Sequence, residues 1–65
     1  MYGYIIIKTS TGMAQIRTNA YHCIHDYLID KGYSHEVAED VASWAPLASI
    51  GETVELDGAE IIIAD

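Results

Sequence analysis

The Asp57-Gly58 dipeptide, which lies between the runs ETVEL and AEIIIAD, constrains the fold of this chain more than any other stretch. Asp-Gly between two β-patterned runs is the strongest local signature of a two-residue hairpin turn. The turn predicts four cross-strand pairs: Leu56 with Ala59, Glu55 with Glu60, Val54 with Ile61 and Thr53 with Ile62. Because strand residues alternate between the two faces of a sheet, one set of apolar residues must form the core face. That set is Val54, Leu56, Ala59, Ile61 and Ile63.

The first segment, MYGYIIIKTSTGMAQIRT, predicts a second hairpin with strands at Tyr2–Thr9 and Met13–Thr18. Thr11-Gly12 offers a two-residue turn, which would pair Ile7 with Ile16. A three-residue loop over Ser10-Thr11-Gly12 is the alternative, so the register stays open. The residues expected to face the core are Ile5, Ile7, Ala14 and Ile16.

Between the hairpins the apolar residues recur at helical spacing, which predicts two helices. Asn19 is expected to cap the first helix and Gly32 to end it. The first apolar stripe is Ala20, Cys23, Ile24, Tyr27 and Leu28. Ser34 is expected to cap the second helix, and Pro46 to end or bend it at Ala45. The second stripe is Val37, Val41, Trp44, Ala45 and Ala48.

The element order ββααββ predicts one small α+β domain over residues 1–65. Two hairpins would form a mainly antiparallel four-stranded sheet, with a helical hairpin packed on one face. A chain of 65 residues buries only about 60% of its surface on folding, so such a domain is marginally stable alone. Self-association is one way to offset this.

The sheet face turned away from the helices is unusually apolar for a solvated face. Apolar surface with tyrosine, arginine and a polar rim is typical of an interface. We therefore expect this face to form a homodimer. The candidate interface residues are Tyr2, Tyr4, Ile6, Arg17 and Ile62.

The charge of the chain is strongly negative and unevenly distributed. The formal net charge is −7, and no lysine or arginine follows Lys31. Such a field repels nucleic acid and anionic membranes and attracts basic protein surfaces. We expect a protein partner with a basic surface, no direct contact with nucleic acid and no membrane. The candidate acidic surface is Glu36, Glu39, Asp40, Glu55 and Glu60.

The stretch YHCIHDY is the only one that resembles a chemical site. On a helix His22, His25 and Asp26 can converge, and all three are zinc ligands in proteins. A solvated polar face explains them without any metal, and Cys23 lies about 100° from His22, on the apolar stripe. We expect no metal, no cofactor and no catalytic residues, because the common nucleophile, phosphate-loop and zinc-protease motifs are also missing.

These patterns together predict a non-catalytic protein-interaction module. By its size and charge it could be an inhibitor that occupies the nucleic-acid-binding site of a basic partner, as some phage anti-defence proteins do. The alternative is a metal-binding or catalytic protein centred on His22, His25 and Asp26. The single cysteine, the short apolar runs and the lack of a signal-peptide pattern favour the cytoplasm.

Overall fold

A computed structural model, which describes residues 3–65, shows two layers: a four-stranded antiparallel sheet and two helices on one of its faces. The strands are β1 (Tyr4–Thr9), β2 (Gly12–Arg17), β3 (Thr53–Leu56) and β4 (Ala59–Ala64). The helices are α1 (Tyr21–Asp30) and α2 (His35–Trp44), and a 3₁₀ turn, Ala45–Leu47, follows α2. The strand order is β2-β1-β4-β3, so the two hairpins join through β1 and β4. The predicted α+β fold with order ββααββ is confirmed.

The second hairpin has the register that its Asp-Gly turn predicts. Leu56 faces Ala59 and Glu55 faces Glu60, and the other two pairs follow. Gly58 adopts a φ of +80°, a conformation that glycine takes without steric cost. The turn residue therefore fixes the pairing of both strands.

The register of the first hairpin, which the sequence left open, follows neither of the two turns considered. Thr9 faces Gly12, so the turn is Ser10-Thr11 and Ile7 pairs with Ala14 instead of Ile16. The side chain of Thr9 stabilises this tighter pairing, because its Oγ1 accepts from the Thr11 N–H (3.4 Å) and donates to the Gly12 carbonyl oxygen (3.2 Å). A shift of two residues keeps every side chain on its predicted face. The predicted first residue, Tyr2, lies outside the described residues.

The helix boundaries confirm Gly32 and Ser34 but not Asn19. The helix α1 begins after Ala20, whose apolar side chain cannot cap it. Asn19 lies in the turn before the helix, which is closed by a hydrogen bond from the Ala20 N–H to the Arg17 carbonyl oxygen (3.0 Å). At the other end the N–H of Tyr33 donates to the Leu28 carbonyl oxygen (3.1 Å) around Gly32, which has a φ of +95°. This is a Schellman-type end.

The second helix begins and ends as predicted. The Ser34 Oγ accepts from the Val37 N–H (3.2 Å), which satisfies one of the unpaired donors of the first turn. The helix α2 ends at Trp44, and the 3₁₀ turn that carries Pro46 follows directly. Ala45 keeps an α-helical backbone (φ −52°, ψ −46°), and the α-helical hydrogen bonding stops because Pro46 has no N–H to donate to the turn before it.

The core lies between the two layers. It contains fully buried side chains from the central strands, from α1 and from α2: Ile5, Ile7, Ile24, Leu28, Ala38, Ala42, Ala45, Ile61 and Ile63. The predicted burial of Cys23 is wrong, since its side chain is exposed. Cys23 lies about 100° around α1 from Ile24, and the buried stripe runs through Ile24 and Leu28 instead.

Candidate interaction site

The strand order separates the charges of the molecule. The three basic residues lie on one side of it: Arg17 on β2, Lys8 on β1 and Lys31 just after α1. The elements α2, β3 and β4 carry none. All eight carboxylate side chains that follow Gly32 are exposed. The half of the molecule built from α2, β3 and β4 is therefore acidic.

The predicted acidic residues do not share one face. Asp40 lines a groove with Val54 and Leu56, which places it beside β3, and Glu36 lies one turn earlier on the same side of α2. Glu55 belongs to β3 itself and points to the face away from the helices. We call Glu36, Asp40 and Glu55 the acidic edge, because all three border the edge strand β3.

The other two predicted acidic residues point elsewhere. Glu39 lies about 100° around α2 from Asp40, on the solvent side of the helix. Glu60 faces Lys8 across β1 and β4, with 4.0 Å between Nζ and Oε1. Both of these side chains are about half exposed, so the pair adds less than about 1 kcal/mol. Lys8 offsets the repulsion that Glu60 would feel from Glu55.

Four of the five predicted interface residues lie together on the outer face of the sheet. Ile6 faces Ile62 at the centre, and Tyr4 faces Arg17 on the neighbouring strand. The Arg17 guanidinium carbon lies 5.7 Å from the centroid of the Tyr4 ring, within cation–π range. Within residues 3–65 no helix covers this face. Tyr2, the fifth predicted residue, lies outside that range.

An apolar groove runs between α2 and β3, and the sequence did not predict it. Its volume is about 290 Å³. It is lined by Val37, Asp40, Val41, Trp44, Val54 and Leu56. Trp44, expected as a core anchor, is only partly buried and forms one wall of the groove. The groove exists because α2 presents small alanines to the centre of the core and its larger apolar residues toward β3.

The rings of Tyr21, His22 and His25 in YHCIHDY contact one another along α1. The His25 ring stacks on Tyr21, with 6.0 Å between centroids, and lies 5.4 Å from the ring of His35. His25 Nδ1 lies 3.5 Å from Asp26 Oδ1, and His22 packs edge-on against Tyr21. Among residues 3–65 no three histidine, cysteine or acidic side chains are grouped closely enough to hold one metal ion.

Three turns meet at one end of the molecule. The Tyr33 hydroxyl donates to the Asp57 carbonyl oxygen (2.6 Å), and Lys31 Nζ donates to Thr11 Oγ1 (3.2 Å). These bonds connect the turn between the helices to both hairpin turns, around a polar cleft of about 410 Å³. Both bonds link the helical layer to the turns of the sheet.

The chain matches no family model, and neither a curated protein nor a solved structure shows significant similarity to it. Within residues 3–65, neither helix has the length and apolarity needed to cross a bilayer.

Proposed function

We propose that this chain is a non-catalytic, cytoplasmic protein-interaction module whose acidic half binds the basic surface of a partner protein. The observation that supports this most directly is the separation of charge across the fold. The part of the chain that follows Gly32, which includes α2, β3 and β4, exposes eight carboxylates and contains no lysine or arginine.

A field of one sign over half of a small molecule acts on a partner before contact. It steers a basic surface toward the acidic half and raises the rate of association, and salt screens this effect. Basic surfaces of proteins are often those that hold nucleic acid. The chain would then act as an inhibitor that competes with nucleic acid for such a surface, in the manner of phage anti-defence proteins.

The test is capture of the partner from a nuclease-treated lysate of the host, with two sets of charge-changing variants. The first set, Glu36→Gln, Asp40→Asn and Glu55→Gln, removes the acidic edge. The control set, Asp26→Asn, Asp30→Asn and Ser10→Lys, changes the net charge by the same three units at exposed positions outside the acidic half.

We expect the first set to reduce recovery of a basic partner by at least about tenfold, equivalent to about 1.4 kcal/mol, and the control set to change it much less. An equal loss with both sets would mean that net charge alone attracts the partner. Undiminished recovery with the first set would contradict the proposal.

Self-association through the outer face is a second candidate function. Arg17 and Glu55 lie on the two outermost strands at opposite ends of this face, with Ile6 and Ile62 between them. A two-fold axis that lies in the plane between the two faces, perpendicular to the line from Arg17 to Glu55, would place each Arg17 over Glu55 of the second copy. The four isoleucines of the two copies would meet at the centre.

The area of the face limits the strength of such a dimer. Strands about 4.8 Å apart that rise about 3.4 Å per residue give roughly 400 Å² of flat sheet. A standard interface buries about 800 Å² on each partner, so we expect a weak dimer.

Sedimentation equilibrium should show weaker association for Arg17→Glu and for Glu55→Arg, and recovery of association in the double variant. A monomer at every concentration would exclude this candidate.

A further inference from the structure

We propose that β3 and the groove beside it form a docking seam for an extended, basic segment of the partner. The segment would add to the sheet as a fifth strand along β3 and place an apolar side chain in the groove. This inference rests on the proposed function and specifies how the acidic half would hold its partner.

The backbone of β3 has unused hydrogen-bonding groups. In an antiparallel pair, alternate residues bond to the neighbouring strand and the residues between them point away. Leu56 flanks the two-residue turn, and Glu52 accepts from the Ile63 N–H (2.9 Å), so Glu52, Val54 and Leu56 are the residues that bond to β4. The N–H and C=O groups of Thr53 and Glu55 therefore point outward from the edge of the sheet.

The groove lies beside these outward groups, on the helix side of the sheet. Side chains of an added strand alternate between the two faces, so every second one would point toward α2. There it would meet Trp44 and Val41 across from Val54 and Leu56, in a volume of about 290 Å³. This is near the lower limit for ligand pockets, which suits one or two apolar side chains. Tryptophan is among the residues most enriched at binding hot spots.

The charges around the seam favour a basic segment over a second copy of this chain. Natural edge strands are protected from unwanted pairing by charged side chains, lysine above all, by proline, by bulges or by short length, and the four-residue strand Thr53–Leu56 contains neither lysine nor proline. It carries Glu55, and Asp40 lines the groove next to it. Two β3 edges would bring these carboxylates together, which is unfavourable, whereas a segment that alternates basic and apolar residues complements both the charge and the groove.

The opposite edge of the sheet supplies a matched comparison. The strand β2 is also an edge strand, and its outward residues are Met13, Gln15 and Arg17 by the same alternation. It carries a positive charge and exposes Met13 and Gln15. A basic segment should therefore distinguish β3 from β2.

The probe is a synthetic peptide of about eight residues that alternates lysine and isoleucine, titrated into the isotopically labelled protein at up to about 1 mM. A peptide of equal composition with a central D-residue, which cannot extend as a strand, is the control. Hydrogen exchange and amide shifts are followed by NMR. We expect the amides of Thr53 and Glu55 to become protected, with the Trp44 indole signal shifted.

Two proline variants test strand addition independently. Thr53→Pro removes an outward N–H at the first residue of a strand, a position where proline is tolerated. Gln15→Pro removes an outward N–H from β2. We expect Thr53→Pro to weaken the binding of the alternating peptide at least about tenfold and Gln15→Pro to leave it unchanged. Circular dichroism verifies that both variants fold, and the protection of amides in the unmodified protein provides the test if one does not.

The outcomes separate this inference from the proposed function. Peptide binding that survives Thr53→Pro, or that leaves the amides of Thr53 and Glu55 unprotected, overturns strand addition. If neutralisation of the acidic edge still abolishes partner capture, the proposed function stands without the seam. No binding of the peptide at about 1 mM also overturns the inference. Equal binding of the two peptides would mean attraction by charge alone and would overturn it as well.

Discussion

Gly3 occupies a position where a larger residue would displace backbone. It is buried, and a Cβ placed there would meet the carbonyl oxygen of Ala64 and lie 2.8 Å from the Cδ1 of Ile50. Its own carbonyl oxygen accepts from both the N–H (3.1 Å) and the Oγ1 (3.3 Å) of Thr18, a buried residue. The glycine thus lets the start of the first hairpin, the end of the second and the entry to α1 lie close together.

We predict that Gly3→Ala destabilises the fold by about 1–3 kcal/mol, because the contact is with backbone that cannot turn away. Urea unfolding followed by tryptophan fluorescence measures the change. Gln15→Ala, at an exposed strand position, is the control and should change stability by less than about 0.5 kcal/mol. Equal stability of Gly3→Ala and the unmodified protein would show that the Ala64 segment moves freely.

The caps of the two helices differ at the level of the element. Ser34 accepts a hydrogen bond from the Val37 N–H, whereas the residue before α1 is Ala20, which has no side-chain cap. We predict that Ser34→Ala costs about 1 kcal/mol and that Asn19→Ala costs much less. Thermal and urea unfolding of the two variants decide between them. A larger cost for Asn19→Ala would mean that Asn19 caps α1 after all.

The sequence predicted those elements whose geometry is decided by neighbouring residues. Asp57-Gly58 sets the turn, the register and both faces of the second hairpin, and Ser34, Gly32 and Pro46 set helix ends. The register of the first hairpin could not be fixed, because Ser10-Thr11-Gly12 permits more than one turn and the hydroxyl of Thr9 selects between them. A competition of this kind depends on side-chain geometry in the folded hairpin.

The sequence was less informative about the candidate site, because the site depends on contacts between distant segments. Prediction of the groove between α2 and β3 requires the knowledge that β3 is an edge strand, and no local sequence pattern indicates the order β2-β1-β4-β3. Helical spacing placed Trp44 and Cys23 on apolar stripes, but the width of each buried stripe is set by the neighbouring layer. The acidic residues are exposed as predicted, but the sequence did not show that they would fail to form a single surface.

At the scale of the whole molecule, a thin two-layer fold has little interior and much surface. The extents are 30 × 19 × 15 Å, and one face of the sheet has no covering layer within residues 3–65. The same topology that joins the hairpins through β1 and β4 moves the basic residues to one side and leaves β3 as an acidic edge. The fold therefore offers charge and an open strand edge as its means of recognition.

The salt dependence of capture tests whether the acidic half binds a basic partner. Bait with and without the acidic edge is incubated with nuclease-treated lysate at about 50 mM and about 500 mM salt, where the screening length falls from about 14 Å to about 4 Å. We predict that a nucleic-acid-binding protein is recovered at low salt by the unmodified bait only, and by neither bait at high salt. Recovery that does not change with salt, or that is equal for both baits, would mean that the acidic edge does not bind the partner.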